Sequence, residues 1–217
     1  MAENPTTLHT PEPPAVPLDE HRLTPAAHLA GDMEAATVTG ARSVSLRELQ
    51  FPLQIGLRGE IGSESAQLIE KELGFELPSR VGQVTGDPMG LHVLWLSPDE
   101  FLAVDVSTRQ QPGDSDRYID ALAGKPGHAV ELSANRTVLE LVGAAARDVL
   151  AKSCHADLHP REFGVNTAIT TSLGKVPIYL HRAGEDVWRI YPRQSFADFT
   201  VRWLLDGMKE FAQDEVL

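Results

Sequence analysis

The chain of 217 residues is longer than one small core requires and shorter than two full-sized domains usually need. Its 31 acidic residues outnumber its 19 basic ones, and the net charge of −12 argues against binding to nucleic acid or to anionic lipid. No apolar run approaches the ~20 residues of a membrane-spanning helix. The single cysteine, Cys154, cannot form an internal disulfide, so we expect a cytoplasmic protein with neither a nucleic-acid nor a membrane partner.

Residues 1–36 differ in composition from the rest of the chain. They contain six of the fifteen prolines, no aromatic residue, and one basic residue, Arg22, against six acids. Such a segment buries too little apolar surface to offset the entropy cost of ordering it. We therefore predict a Pro-rich arm that is disordered or docked on a partner, with a short docked turn possible over residues 23–30. Residues 1–17 also lack the basic and apolar parts of a secretory signal.

Residues 37–127 have a regular pattern and are predicted to form a first α+β lobe. The predicted elements are a strand over 54–59, a helix over 64–73, two strands over 91–96 and 101–105, and a short helix over 117–123. Gly74 is a natural stop for the first helix because glycine adopts the left-handed conformation that ends many helices. The glycine-rich segment 82–90 is interpreted as a flexible loop.

Residues 128–217 repeat this order and are predicted to form a second α+β lobe. The predicted elements are a strand over 137–142, a helix over 144–153, three strands over 167–173, 176–181 and 186–191, and a helix over 196–211. Gly59 and Gly143, which are 84 residues apart, each follow the first strand of their half. The sequence therefore predicts a pseudo-duplicated α+β fold of two similar lobes, each an antiparallel sheet with helices on one face.

The sequence contains no self-sufficient catalytic or metal-binding motif. Cys154, His155 and His159 lie close together, but Pro160 disfavours helix at His159 and no second Cys or His pair completes a tetrahedral site. We interpret Cys154 as a partly buried, unreactive thiol, and His181 as a surface or packed histidine rather than a general base. We predict no catalytic, cofactor-binding or metal-binding residue in this chain.

Five side chains are candidates for an interface. Three are arginines, which pair well with carboxylates, and we favour structural or inter-subunit ion pairs for them over substrate binding. The other two belong to the aromatic C-terminal helix, where most such side chains are core but one on the outer face would suit a protein interface. The candidate residues are Arg136, Arg161, Arg193, Phe196 and Trp203.

Several segments together resemble the gamma subunit of heterotetrameric sarcosine oxidase. They are residues 133–141 and 145–154, Asp-Leu-His-Pro-Arg-Glu-Phe at 157–163, and Arg-Gln-Ser-Phe-Ala-Asp-Phe at 193–199, with residues 44–59 similar to the N-terminal portion of the family. The resemblance covers residues 23–211. The family is similar in turn to the folate-binding part of the aminomethyltransferase of glycine cleavage, which is built from two similar lobes.

The resemblance implies a non-catalytic structural subunit of a complex that oxidatively demethylates sarcosine to glycine, producing hydrogen peroxide and methylene-tetrahydrofolate. It implies alpha, beta and delta partner subunits. It also implies that these partners hold FAD, FMN, NAD and zinc, with tetrahydrofolate as co-substrate, while this chain binds no cofactor and has no activity alone.

Other functions stay open at this point. One is a stand-alone folate-binding protein of the same fold group, acting in one-carbon transfer or iron–sulfur maintenance. The related iron–sulfur assembly factors carry Lys-Gly-Cys-Tyr-x-Gly-Gln-Glu, whereas Cys154 lies in Lys-Ser-Cys-His, which argues against that role but not against folate binding. A further possibility is an enzyme whose site is assembled from dispersed residues. The complex could also prefer another N-methylated amino acid to sarcosine.

Overall fold

The computed structural model describes residues 21–213 and contains one antiparallel sheet with helices packed on it. The strands are β1 (Ser45–Glu48), β2 (Pro52–Arg58), β3 (Gly82–Gly86), β4 (Leu91–Ser97), β5 (Glu100–Arg109), β6 (His128–Glu131), β7 (Leu139–Val142), β8 (Thr167–Leu173), β9 (Val176–Gly184) and β10 (Val187–Pro192). The helices are α1 (Ala30–Ala35), α2 (Glu64–Leu73), α3 (Asp116–Ala121), α4 (Ala146–Ala151) and α5 (Ala197–Met208). Short 3-10 turns cover Ala27–Leu29, Gln194–Phe196 and Lys209–Ala212. No helix in this part of the chain is long and apolar enough to cross a membrane.

The strands pair in the order β1-β7-β10-β9-β8-β3-β4-β5-β2-β6. The sheet therefore has two halves of five adjacent strands, β1-β7-β10-β9-β8 and β3-β4-β5-β2-β6. These halves of the sheet join through the short β3–β8 pairing, where Gly82 faces Ala168 and Gln83 faces Thr167. The predicted flexible loop over 82–90 is wrong for residues 82–86. This segment is a strand because its backbone pairs on both sides and Val84 is buried.

The outermost strands are exchanged between the two halves of the sequence. Strand β1 precedes β2 in the chain but pairs with β7, and β6 follows residue 127 but pairs with β2. A division of the chain at residue 127 therefore separates β6 from the strand to which it is hydrogen-bonded. The predicted lobe boundaries stay a prediction, whereas the α+β class with an antiparallel sheet is confirmed.

Helix α2 shows how local sequence sets an element. The Ser63 hydroxyl accepts a hydrogen bond from the Ala66 amide at 3.2 Å, which caps the first turn. Gly74 ends the helix in the left-handed conformation at φ +84°, and Ile69 and Leu73 face the sheet. The observed bounds, Glu64–Leu73, confirm those that the sequence predicted.

The described part of the predicted arm packs on the core of this same chain. Leu29 and Met33 are buried in the apolar cluster beneath α4 and α5, whereas Leu23 is exposed. The Glu48 carboxylate accepts a hydrogen bond from the Ala26 amide at 3.0 Å, which fixes the start of the turn. Residues 1–20 lie outside the described residues.

Apolar side chains cover both faces of the sheet. Two clusters lie under the helices, one beneath α1, α4 and α5 and the other beneath α2 and α3. A third cluster lies on the opposite face, where Leu94 and Leu102 from one half meet Ala168 and Tyr191 from the other. We call this helix-free side the inner face. Because both faces are packed, polar groups in the centre of the inner face are buried within the protein.

Replacing Gly143 with alanine is expected to lower the free energy of unfolding by about 2–3 kcal/mol, because it would strain the backbone and crowd the β1 edge. Gly143 has φ +128°, and a Cβ there would lie 2.9 Å from the Val44 Cα and closer still to the Ser43 carbonyl. Urea unfolding measures the loss. Gly124→Ala is the matched control, because Gly124 has φ +75° with open space around it and should lose only about 1 kcal/mol. Equal losses would contradict the steric argument.

Candidate functional site

A buried ion cluster lies on the inner face. Glu140 on β7 and Arg189 on β10 stand opposite one another, with 3% and 1% of their side chains exposed. The Arg189 Nε donates to Glu140 Oε2 at 2.9 Å, and Arg47 on β1 donates to Glu140 Oε1 at 2.5 Å. Arg189 also donates to the Pro88 carbonyl and contacts the Met89 sulfur at 3.7 Å. The cluster thus connects three adjacent strands in one half of the sheet, β1, β7 and β10, to the β3–β4 loop in the other half of the sheet.

Two buried histidines lie beside this cluster. The rings of His92 on β4 and His181 on β9 have centroids 5.1 Å apart, and both side chains are fully buried. Burial and the positive charge of Arg189 lower the pKa of His92 to about 4, although its hydrogen bond to the Gly90 carbonyl opposes the shift. Burial and neighbouring His92 and Arg189 hold the pKa of His181 well below its usual value. His181 is therefore a packed residue, as one of the two sequence alternatives predicted.

Most of this cluster is not predicted by the sequence pattern. Glu140, Arg189 and His92 lie in strands that the sequence predicts from their apolar neighbours. The pattern does not predict that the face of the sheet on which these three residues lie is also buried. The sequence does contain a sign of this burial. Leu94 and Tyr191, which are apolar or aromatic, lie on the same face of the sheet as these polar residues. Apolar residues on both faces of a strand indicate that both faces are covered.

The aromatic residues of the C-terminal segment divide between core and surface. Phe211 is buried, whereas Phe196, Phe199 and Trp203 have 40%, 46% and 44% of their surface exposed. The Phe199 and Trp203 rings are stacked with centroids 5.6 Å apart, and the Trp203 indole N–H donates to Ser153 Oγ at 2.7 Å. We call these three exposed side chains the aromatic face.

The three candidate arginines lie in two places. Arg136 and Arg193 form an isolated antiparallel bridge through their backbones, so the structure brings them together. The Arg136 guanidinium stacks on the Tyr179 ring at 3.9 Å and donates to the Tyr191 carbonyl at 2.8 Å. Arg161 is exposed on the loop after α4, apart from this pair. No carboxylate among residues 21–213 lies within ion-pair distance of any of the three.

A cavity of about 200 Å³ lies beside the arginine pair on the inner face. We call it the arginine cavity. Its polar lining consists of Gln54, Glu100, Asn135, Arg136, Tyr179 and Arg193. Leu96, Leu102 and Leu132 contribute the apolar wall.

The cysteine region is polar and partly exposed. Cys154 is half-buried and pairs through its backbone with Leu173, while the His155 ring is hydrogen-bonded to the Ser172 hydroxyl at 2.9 Å. Over residues 21–213 no group of three or more His, Cys, Asp or Glu side chains is arranged to hold a metal ion.

The fold places the chain in a known structural class. The antiparallel half-barrel with helices on its outer side is similar to the glycine cleavage system aminomethyltransferase T from Bartonella henselae, with a TM-score of 0.59. The match covers 82% of this chain and 48% of that chain at 17% sequence identity, so it describes the fold alone.

The chain belongs to the sarcosine oxidase gamma subunit family, whose model matches residues 59–210. It is 53% identical over 195 residues to sarcosine oxidase subunit gamma from Corynebacterium sp. (strain U-96), covering 90% of this chain and 94% of that protein. Sarcosine oxidase subunit gamma from Arthrobacter sp. is 48% identical over 195 residues, again covering 90% of this chain and 94% of that protein. The structure also matches a chain of the heterotetrameric sarcosine oxidase from Corynebacterium sp. U-96, solved with pyrrole 2-carboxylate, at a TM-score of 0.86, covering 90% of this chain and 99% of that one. The predicted family is therefore confirmed.

Proposed function

We propose that this chain is the gamma subunit of a heterotetrameric sarcosine oxidase and contributes structure to the complex rather than catalytic groups. The observation that carries the proposal is the match over nearly the whole length of a chain from such a heterotetramer, at 53% identity. The partners are the alpha, beta and delta subunits. The complex converts sarcosine to glycine with release of hydrogen peroxide and formation of methylene-tetrahydrofolate.

The flavins, NAD and zinc of the complex are assigned to the partner subunits, with tetrahydrofolate as co-substrate. The buried groups of this chain support that assignment. Glu140 and Arg189 satisfy one another, and His92 and His181 are enclosed between the two halves of the sheet. These buried polar groups join strands from the two halves of the sheet. The single half-buried thiol is consistent with the cytoplasm as the compartment.

A duplicated architecture is proposed for the fold. Strands β2, β5, β4 and β3 are adjacent in that order, and β7, β10, β9 and β8 follow the same order in the other half. Helices α2 and α4 each follow the first of these strands, after Gly59 and Gly143 respectively. This correspondence, together with the exchanged outer strands, supports two similar lobes within one sheet.

The aromatic face is proposed as a contact with a partner subunit. Of the large apolar side chains exposed between residues 21 and 213, Phe196, Phe199 and Trp203 are the aromatic ones, and they lie within eight residues of chain. Aromatic residues are enriched in interfaces, where they contribute large contact area. Phe196 and Trp203 thus keep their predicted interface role, and Phe199 joins them. Arg161 stays a candidate for an ion pair with a partner subunit.

A co-purification experiment tests the subunit assignment. The full chain would be tagged in its native host, recovered, and examined for its partners and their visible absorption. A yellow complex with three further chains, one of them containing zinc, is expected. A colourless chain recovered alone would contradict the assignment, and titration with tetrahydrofolate would then test the stand-alone folate-binding alternative.

Replacing Trp203 with alanine is expected to weaken assembly more than folding. A buried interface tryptophan typically contributes 2 kcal/mol or more to binding, which corresponds to a loss of about 30-fold in affinity. Because Trp203 is half-exposed in the chain itself, its free energy of unfolding should fall by only about 1 kcal/mol.

The assembled fraction would be measured by size exclusion and the stability of the free chain by urea unfolding. Ile119→Ala is the matched control, since Ile119 has similar exposure and lies on α3, outside the aromatic face. Unchanged assembly of the Trp203 variant would contradict the proposed contact. So would an equal loss in both variants.

A further inference from the structure

The arginine cavity carries a positive charge that the described chain does not neutralise. Arg136 and Arg193 are direct antiparallel partners, and like charges at directly opposed positions destabilise a sheet. The chain has 31 acidic residues to draw on, yet no described carboxylate pairs with either guanidinium. Because both guanidinium groups lack a described carboxylate partner, the cavity is suited to an anion from outside the chain.

Arg136 is held in position before any ligand binds. Its guanidinium lies on the Tyr179 ring, and one nitrogen donates to the Tyr191 carbonyl. Both contacts fix the plane of the group and leave further N–H donors available, because a guanidinium carries five. A guanidinium held in one plane loses little entropy when it binds a carboxylate through two parallel hydrogen bonds.

Gln54, which also lines the cavity, has an acceptor without a partner. Its amide nitrogen donates to the Arg136 carbonyl at 2.8 Å, which fixes the orientation of the amide group. The opposite atom, Oε1, is buried and accepts a hydrogen bond from no described group. A buried acceptor without a donor costs about 1–3 kcal/mol. A ligand with an N–H group would remove that cost.

Glu100 places a negative charge at the other side of the lining. Its carboxylate pairs with Arg58 at 3.1 Å and stays partly exposed, so it can accept a second donor. The cavity thus combines two cationic groups with an unpaired acceptor and a carboxylate. Its volume of about 200 Å³ is below the ~300–1,000 Å³ of sites for drug-sized molecules, which favours a ligand of a few heavy atoms.

We propose that the arginine cavity binds a small zwitterionic amino acid. The ligand carboxylate pairs with Arg136 and Arg193, and its ammonium group donates to Gln54 Oε1 and to Glu100. A molecule with a carboxylate but no ammonium group leaves Gln54 and Glu100 without a ligand partner. A molecule with an ammonium but no carboxylate group leaves the two arginines without one. This proposal stands on the residues of the cavity and does not depend on the subunit assignment.

Calorimetric titration of the full chain with glycine tests the proposal. Acetate and methylammonium serve as the two halves of the zwitterion, and each is expected to bind at least about tenfold more weakly than glycine. Arg193→Gln should weaken glycine binding by at least about tenfold, because it removes one of the two arginines that pair with the ligand carboxylate. Arg193 is exposed, so its replacement should leave folding unaffected. Arg80→Gln is the matched control and should leave the affinity unchanged, since Arg80 is also exposed and lies outside the cavity.

The outcomes distinguish a zwitterion site from a contact with a partner subunit and from a general effect of charge. Glycine and acetate binding with equal affinity would overturn the zwitterion proposal, since the ammonium contacts would then contribute nothing. No binding of glycine, combined with a loss of assembly in the Arg193 variant alone, would also overturn it and assign the pair to a carboxylate of a partner subunit. Equal effects of the Arg193 and Arg80 variants would show a general charge effect and exclude a built site.

Discussion

Replacing Glu140 with alanine is expected to lower the free energy of unfolding by about 3–5 kcal/mol, one of the largest effects of any single substitution in this chain. The loss arises because Arg189, with 1% of its side chain exposed, keeps its charge but loses its carboxylate partner. The remaining contacts of its guanidinium, a carbonyl and a thioether, do not neutralise that charge.

The same geometry predicts a different result for a joint replacement. Exchanging a buried ion pair for apolar residues of similar volume is often neutral or stabilising, because the cost of removing both charges from water also disappears. Glu140→Leu combined with Arg189→Met should therefore recover most of the stability that Glu140→Ala loses. Urea unfolding at neutral pH measures each variant.

Arg47 provides the matched single-residue control. It donates to the same carboxylate, but 69% of its side chain is exposed, so water can replace the contact. Arg47→Gln should cost less than about 1 kcal/mol. A loss of similar size for Arg47→Gln and Glu140→Ala would show that the burial of the pair does not determine its energetics.

Local patterns predict the helices and most strands of this fold. The alternation over residues 167–173 and the capping signals around α2 reproduce the observed elements, because short-range chemistry fixes them. The strand over Gly82–Gly86 could not be found this way. Its glycines and polar residues are typical of a loop, and it is a strand only because β4 and β8 pair with it from distant parts of the chain.

The inner face shows the same limit. The alternation of the strands places Glu140 and Arg189 on the other face of the sheet from their apolar neighbours. In a sheet with one face in solvent, these two side chains would be exposed. They are buried because the two halves of the sheet cover one another, which is a property of the whole topology. The pairing of Arg136 with Arg193 likewise joins positions that are 57 residues apart by number, and no local pattern reports it.

Acidification from pH 6.5 to pH 5 is expected to destabilise the chain through His92 and His181. The pKa of His92 is lowered from 6.5 to about 4 in the folded protein, and that of His181 is well below 6.5, in both cases mainly through burial. Well above pH 6.5 both rings are neutral in the folded and unfolded chains. Below it, the unfolded chain binds protons that the folded chain does not, so stability falls as the pH falls.

The size of the effect follows from the shift of His92. One pKa unit corresponds to about 1.36 kcal/mol, so His92 alone should cost about 2 kcal/mol by pH 5 and about 3 kcal/mol by pH 4. His181 adds a loss of the same sign. Of the charged groups that face His92, Arg189 lowers its pKa further, while Asp87 and Asp105 oppose the shift without reversing it.

Urea unfolding at half-unit intervals between pH 8 and pH 5 measures this loss in a range above the usual pKa values of carboxylic acids. His92→Asn and His181→Asn should each flatten the pH dependence, even though each variant starts from a lower stability. His155→Asn is the control, because His155 is exposed and should leave the slope unchanged. A slope that survives both substitutions of the buried rings would assign the loss to other groups. A slope that only the buried pair abolishes would show that burial of His92 and His181 keeps both rings neutral in the native chain.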